Sequence, residues 1–203
     1  NSFFLEIPSG PIDRARNLLP QIQEPIPFSY GQGVAGAKLI LWGLFKKFAV
    51  ANNLATYVGL VYGSPRDYHG ITLITATYFF AFQLYADFSG YTDIVRGAAK
   101  LFGYELPVNF KAPYLSRSIP EFWTRWHITL SSWLRDYLFL PLSNFISRRL
   151  KAPSVFRIDS NVVIYSSSAI VTFAIAGIWH GSAWTYVLWG LIHGLYLAIS
   201  TIT

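Results

Sequence analysis

Two apolar runs, 161–179 and 183–202, follow one another with only His180-Gly181-Ser182 between them, and neither contains an acidic or basic residue other than His193. Each approaches the roughly 20 residues that cross a bilayer as a helix. In hydrocarbon every backbone group must be satisfied internally, which favours helices. The expected fold class is therefore all-α, a polytopic membrane helical bundle with re-entrant and interfacial helices. Residues 1–203 are read as a single membrane core, with 1–32 interfacial and 33–203 supplying transmembrane and re-entrant helices.

The composition agrees. Hydrophobic residues make up 53% of the chain and charged residues only 13%, about half the usual share of a soluble domain. Cysteine is absent, so no disulfide framework or thiol chemistry is available. Methionine is absent too, and 1–20 lacks a basic start followed by an apolar core. The expectation is a piece of a larger or trimmed polypeptide without a visible leader. The net charge is +6 and clustered: the span 100–151 holds eight Lys or Arg against three acidic residues. These cations alternate with Trp, Phe and Leu. That pattern suits a membrane interface, anionic lipid or an anionic substrate, and nucleic acid is set aside as a partner.

Along the chain, 1–32 is rich in Pro and Gly, with a short surface helix expected over 14–20. The apolar run 34–62 is interrupted by Lys46 and Lys47. A helix to Phe45, lysines at the interface and a second helix from Ala49 are expected. Gly63 to Asp67 reads as a turn. The apolar run 70–85 is too short to span by itself. The helix is expected to continue through Asp87, Thr92 and Asp93, turning them toward protein. A loop is expected over 100–118, then a helix starting at Ile119-Pro120-Glu121. The segment 126–146 is read as a buried helix or re-entrant segment, and 148–159 as a polar loop.

Ionisable side chains beside such runs are functional candidates by default. His180, flanked by Trp179 and Trp184, sits where two apolar helices meet, and Gly181 allows a bend there. Partial desolvation would keep its imidazole neutral and basic, as a general base requires. The bland alternative is a helix-end histidine bonded to a carbonyl. His127, read as helical, shares a face with Ser131 at i+4, beside a stripe of Trp123, Trp126 and Leu130. Its bland alternative is an interfacial helix with ordinary aromatic anchors. Glu121 and Arg125 form a possible i,i+4 pair. Arg135 and Asp136 are expected as an internal ion pair, with Arg135 also able to bind an anionic group. Asp87 and Asp93 are not a convincing acid/base pair. His193, thirteen residues past His180, would lie on nearly the opposite face of a continuous helix and pack or hydrogen-bond. His69 is read as solvated. No metal site is expected, because no ligand spacing is present. Nucleophile-elbow and phosphate-loop motifs are also missing.

The stretch Glu121-Phe-Trp-Thr-Arg-Trp-His127-Ile-Thr-Leu-Ser-Ser-Trp-Leu-Arg-Asp-Tyr-Leu-Phe-Leu-Pro141 resembles the central signature of the membrane-bound O-acyltransferases, and most of all their bacterial alginate O-acetyltransferase-like branch. Gly177-Ile-Trp-His180-Gly-Ser-Ala-Trp184-Thr-Tyr-Val-Leu-Trp-Gly190 is similar to that family's catalytic-histidine segment. Tyr85-Ala-Asp87-Phe-Ser-Gly-Tyr-Thr-Asp93, Asn109-Phe-Lys-Ala-Pro113 and Ser9-Gly-Pro11-Ile look like its upstream blocks. The resemblance runs in order over nearly the whole chain. Family members are much longer, so it implies part of a larger core.

The resemblance implies an enzyme of the cell (inner or plasma) membrane, crossing it several times. It would move an acyl group, acetyl by preference, from a cytoplasmic thioester donor such as acetyl-CoA toward a hydroxyl of an extracytoplasmic polysaccharide. His180 would be the essential histidine and His127 the supporting one. Arg135, Asp136, Trp126, Trp179 and Ser131 would assist or bind substrate. No bound cofactor is implied. The implied partners are membrane lipid, the acyl donor, and an extracytoplasmic acyltransferase or the polysaccharide itself. Two alternatives stay open: D-alanyl transfer from a carrier protein to teichoic acid, and a membrane transporter or scaffold using His and Asp as a proton path.

Overall fold

The computed structural model describes residues 10–23, 27 and 29–201. Those parts of the 1–32 reading that fall on 1–9, 24–26 and 28, including Ser9, lie outside the described residues. The described chain is mostly helical and forms two compact units, Asn1–Asn109 and Phe110–Thr203.

In the first unit, α1 (Ala15–Gln23) is the expected short surface helix, with Pro20 inside it. Then come α2 (Tyr30–Leu44), a π-helical turn Phe45–Ala51, α3 (Asn52–Gly63) and the long α4 (Ile71–Leu101). Ser29 caps α2 by accepting from the Gln32 N–H. The break at Pro65–Asp67 is a single 3-10 turn. As expected, α4 runs unbroken through its polar stretch, and Thr92 is buried.

Two glycine pairs bring α2 and α4 together. A Cβ on Gly36 would stand 2.7 Å from the Gly97 carbonyl oxygen, and one on Gly90 would stand 2.8 Å from that of Gly43. Gly36 and Gly43 are seven residues apart, as are Gly90 and Gly97. The partners run in opposite order, so the helices are antiparallel, in backbone contact at two levels. Small residues that let backbones approach are the usual device for packing helices without a hydrophobic drive between them.

Lys46 and Lys47, expected at an interface, both pair with side chains of α4. Lys46 Nζ donates to Asp93 Oδ2 at 2.6 Å and to Ser89 Oγ at 3.0 Å, while Lys47 pairs with Asp87. Arg96 Nη1 stands 3.5 Å from Asp93 Oδ1. The reason is the π turn: a wider turn changes the helix register locally, and both consecutive lysines reach α4. Asp87 and Asp93 thus serve separate ion pairs.

In the second unit, α5 (Ile119–Arg125) and α6 (Ile128–Leu134) are short. A π turn Arg135–Phe139 leads into α7 (Leu140–Arg149), whose chain extends into the expected loop. The helix expected over 126–146 therefore starts two residues later, at Ile128, and is continuous through the π turn to Arg149. A small hairpin, β1 (Ser154–Val155) antiparallel to β2 (Ile158–Asp159), is a minor departure from the all-α expectation. Then α8 (Ser160–His180) and α9 (Trp184–Ile199) form an antiparallel pair. Asp159 caps α8, its Oδ1 accepting from the Asn161 N–H at 2.7 Å. At 21 residues, α8 is the one helix among the described residues long and apolar enough to cross a membrane. It spans about 30 Å at the usual rise.

Asp93→Leu alone should cost about 3–5 kcal/mol, because it leaves the Lys46 ammonium buried without its counter-ion. Adding Lys46→Met should recover most of that loss. Thermal midpoints of the purified full-length protein in detergent, single against double variant, check this.

Candidate active site

The second unit holds both histidines singled out from sequence, and their local structure explains how each is presented. α5 begins with an exchange of caps: Ser118 Oγ accepts from the Glu121 N–H at 3.2 Å, and Glu121 Oε2 accepts from the Arg117 N–H at 2.7 Å. The Arg117 N–H holds the Glu121 carboxyl below its ordinary range, aided by the Arg125 guanidinium. The expected Glu121–Arg125 pair is present at 2.6 Å.

α5 stops at Arg125, Trp126 is extended, and His127 takes a left-handed backbone at φ +41°. Only a few per cent of non-glycine residues do this, with His and Asn among the more tolerant. Such strain persists where the surroundings over-determine it. Here they do: Phe110 stacks on His127 at 6.5 Å and meets Trp126 edge-on at 5.1 Å, while Phe122 stacks on Trp126 at 5.7 Å. His127 therefore precedes α6 and does not share a helical face with Ser131. The Ser131 N–H instead closes the first turn onto the His127 carbonyl, and Ser131 Oγ donates to the Trp126 carbonyl at 3.0 Å.

His180 ends α8. Gly181 there is extended, a conformation open to any residue, so the bend does not require glycine. What requires glycine is space: a Cβ would stand 2.6 Å from the Tyr186 ring. Past Gly181 the chain reverses, and α9 returns along α8. The His180 ring lies 5.0 Å from Trp189, 5.0 Å from Trp179 and 6.3 Å from Tyr186. Trp184 is 85% exposed and takes no part, and Trp179 is itself 64% exposed. Trp189 and Tyr186, missed from sequence, are the rings across the hairpin from His180.

His193 is also brought in. Because the helix is broken at Gly181, it does not lie on an opposite face. Its ring is 4.8 Å from Trp189 and 5.2 Å from Trp123. Trp189 thus touches both His180 and His193. The clue available in sequence was Gly190-Leu-Ile-His-Gly194 and Gly177-Ile-Trp-His-Gly181, two small-residue pairs at the spacing used for close helix contact.

His127 lies outside the spanning helix. Burial lowers its imidazole from 6.5 to about 4, and the neighbouring His180 charge adds to this. It is a neutral donor and acceptor at pH 7. The two histidines are thus within electrostatic reach, as the sequence reading requires but spacing alone cannot show.

A cavity of about 370 Å³ opens in the same unit, lined among others by Trp123, Thr124, Ser131, Arg135, Thr172 and Phe173. It gathers Ser131 and Arg135 from the sequence candidates, but not His127, His180, Trp126, Asp136 or Trp179. Arg135 does pair with Asp136, through Nη2 and Nε to Oδ1 at 3.0 Å. Arg135 is exposed and Asp136 partly so, so the pair is not internal. His69 is exposed, as expected. Among the described residues no three His, Asp or Glu side chains converge as metal ligands would.

The family model described as MBOAT, membrane-bound O-acyltransferase family, matches residues 14–203. The chain is 36% identical to a peptidoglycan O-acetyltransferase of Helicobacter pylori, over 98% of this chain and 36% of that protein. It is 34% identical to a probable alginate O-acetylase of Azotobacter vinelandii, over 98% of this chain and 37% of that one. With a teichoic acid D-alanyltransferase of Bacillus subtilis it shares 30% identity, over 96% of this chain and 48% of that protein. The chain spans between about a third and a half of the length of these curated relatives.

Between pH 6.5 and about 4 the unfolded chain binds a proton at His127 that the folded chain does not. Stability should therefore fall as pH falls across that window. His127→Asn, which tolerates the left-handed backbone, should show a shallower fall in thermal midpoint than the wild type. Equal slopes would remove His127 as the buried neutral group.

Proposed function

Since the chain belongs to the membrane-bound O-acyltransferase family, we propose that it is the histidine-bearing part of an enzyme that transfers an acyl group to a hydroxyl. The observation that carries this reading is that one unit holds both His127 and His180, each among aromatic side chains, with His180 bearing electrostatically on the buried His127. In the proposed reaction His180 takes the proton of an acceptor hydroxyl, and the oxygen attacks the carbonyl carbon of a thioester. His127, neutral, donates a hydrogen bond to the oxyanion that forms. The oxyanion collapses, the carbon–sulfur bond breaks, and the proton on His180 passes to the departing thiolate.

The donor is acetyl-CoA and the acceptor a polysaccharide outside the cytoplasm, reached directly or through an extracytoplasmic acyltransferase. The names of the Helicobacter and Azotobacter relatives, both O-acetylating, support this choice. D-alanyl transfer to teichoic acid is the second reading, supported by the Bacillus relative. The protein crosses the cell membrane several times. In support, α8 has spanning length, α9 is apolar over 16 residues, and α2 to α4 carry exposed Leu41, Trp42, Phe48 and Ile74. Ion-paired lysines and aspartates on α4 fit a helix whose charges must be neutralised in an apolar surround.

His180→Ala should lower O-acetylation of the envelope polysaccharide by about 10²–10⁴-fold, the usual worth of a general base. The check is O-acetyl content at matched membrane levels of full-length protein. Unchanged acetylation would defeat the proposal.

A further inference from the structure

Three buried polar atoms of the second unit have no hydrogen-bond partner among the described residues: Trp123 Nε1, Thr172 Oγ1 and His193 Nδ1. They come from α5, α8 and α9: Trp123 and Thr172 line one cavity, and the His193 ring stands 5.2 Å from that of Trp123. Phe173, next to Thr172 in the chain, lies 4.7 Å from Trp123 and 6.3 Å from His193. Trp123, Thr172 and Phe173 all line the cavity, and His193 stands against Trp123 behind it.

Each atom left this way is costly, and three together in one unit call for a physical reason. Thr172 is the sharpest case. A helical threonine hydroxyl ordinarily bonds back to the carbonyl one turn earlier. On the same helix Ser167 and Ser168 do so, to Val163 and Ile164. Thr172 does not, although it is only 3% exposed. The three groups also complement one another. An indole N–H only donates, whereas a hydroxyl and a neutral imidazole nitrogen can each donate or accept. Ligand hydroxyls, which also do both, would satisfy such groups. A purely apolar occupant would leave all three unmet.

We infer that Trp123, Thr172 and His193 form a polar subsite at the cavity wall that binds a hydroxyl group of the acyl acceptor, one tryptophan ring from His180. Trp189, touching both His180 and His193, is that ring. The subsite holds a hydroxyl other than the reacting one and so orients a polyhydroxylated acceptor. This rests on the acyl-transfer reading and names what that site recognises.

The test uses membranes containing the full-length protein, labelled acetyl-CoA, and the host's own envelope polysaccharide stripped of its O-acetyl groups. The variants are Thr172→Val, Thr172→Ser, His193→Leu and His193→Asn, with His180→Ala alongside. Losing a buried unpartnered atom should leave the thermal midpoint of Thr172→Val unchanged or higher. Thr172→Val and His193→Leu should each raise the acceptor concentration for half-maximal labelling about tenfold, one lost hydrogen bond, with the donor dependence unmoved. Thr172→Ser and His193→Asn, which keep a polar atom in place, should recover most of it. Wild-type acceptor dependence in Thr172→Val and His193→Leu would mean that bound water alone meets these atoms, and the subsite would fall. A change in donor dependence instead, or a lowered midpoint in Thr172→Val, would equally overturn it. If His180→Ala labels as well as wild type, the acyl-transfer reading itself fails, a result distinct from the others.

Discussion

The contact between α8 and α9 sets everything else in the second unit. Gly177 of α8 and Gly190 of α9 have no room for a Cβ: it would collide with the carbonyl of Tyr186 in the first case and of Phe173 in the second. A Cβ on Gly194 would stand 2.7 Å from the Ile170 Cα. Three levels of backbone contact fix the register of the hairpin. That register sets Trp189 across from His180, and the next turn of α9 sets His193 against Trp189 and Trp123. Side chains in such a contact have little freedom, and a rigid support is what a group acting in proton transfer needs.

The first unit solves a different problem with the same device. Its α2–α4 contact also runs through glycines, but its polar groups are charged. Lys46, Asp93, Arg96 and Ser89 form one partly buried network, and Lys47 with Asp87 another pair. A buried ion pair is weak evidence of net stability, yet breaking one is expensive. The network therefore reads as a second lock on the register of the long α4, beside its glycine contacts with α2.

Much of this was legible in the chain and some was not, for identifiable reasons. Helix α4 running through Asp87 and Asp93 followed from the shortness of its apolar run. The helix start at Ile119-Pro120-Glu121 and the Glu121–Arg125 pair followed from local spacing. The π turns at Phe45–Ala51 and Arg135–Phe139 did not, because a one-residue widening has no compositional signature. The pairing of Lys46 with Asp93 and of Lys47 with Asp87 was hidden too, because the partners lie 47 and 40 residues away. The left-handed His127 was hidden as well, since an apolar, aromatic run reads as one continuous helix. His193 was misplaced for the simplest reason: its angle was taken along a helix that breaks at Gly181. His127 and His180 could be named from the sequence, but that His180 bears electrostatically on His127 depends on the fold.

The central claim is that His127 and His180 act on one reacting centre. A double-mutant cycle in acyl transfer tests it most directly, comparing His127→Ala, His180→Ala and the pair in the full-length protein at equal membrane levels. Groups that act as a unit are strongly non-additive. The account predicts that the double variant is scarcely worse than His180→Ala alone. Losses that multiply, with His127→Ala costing the same factor whether or not His180 is present, would contradict it.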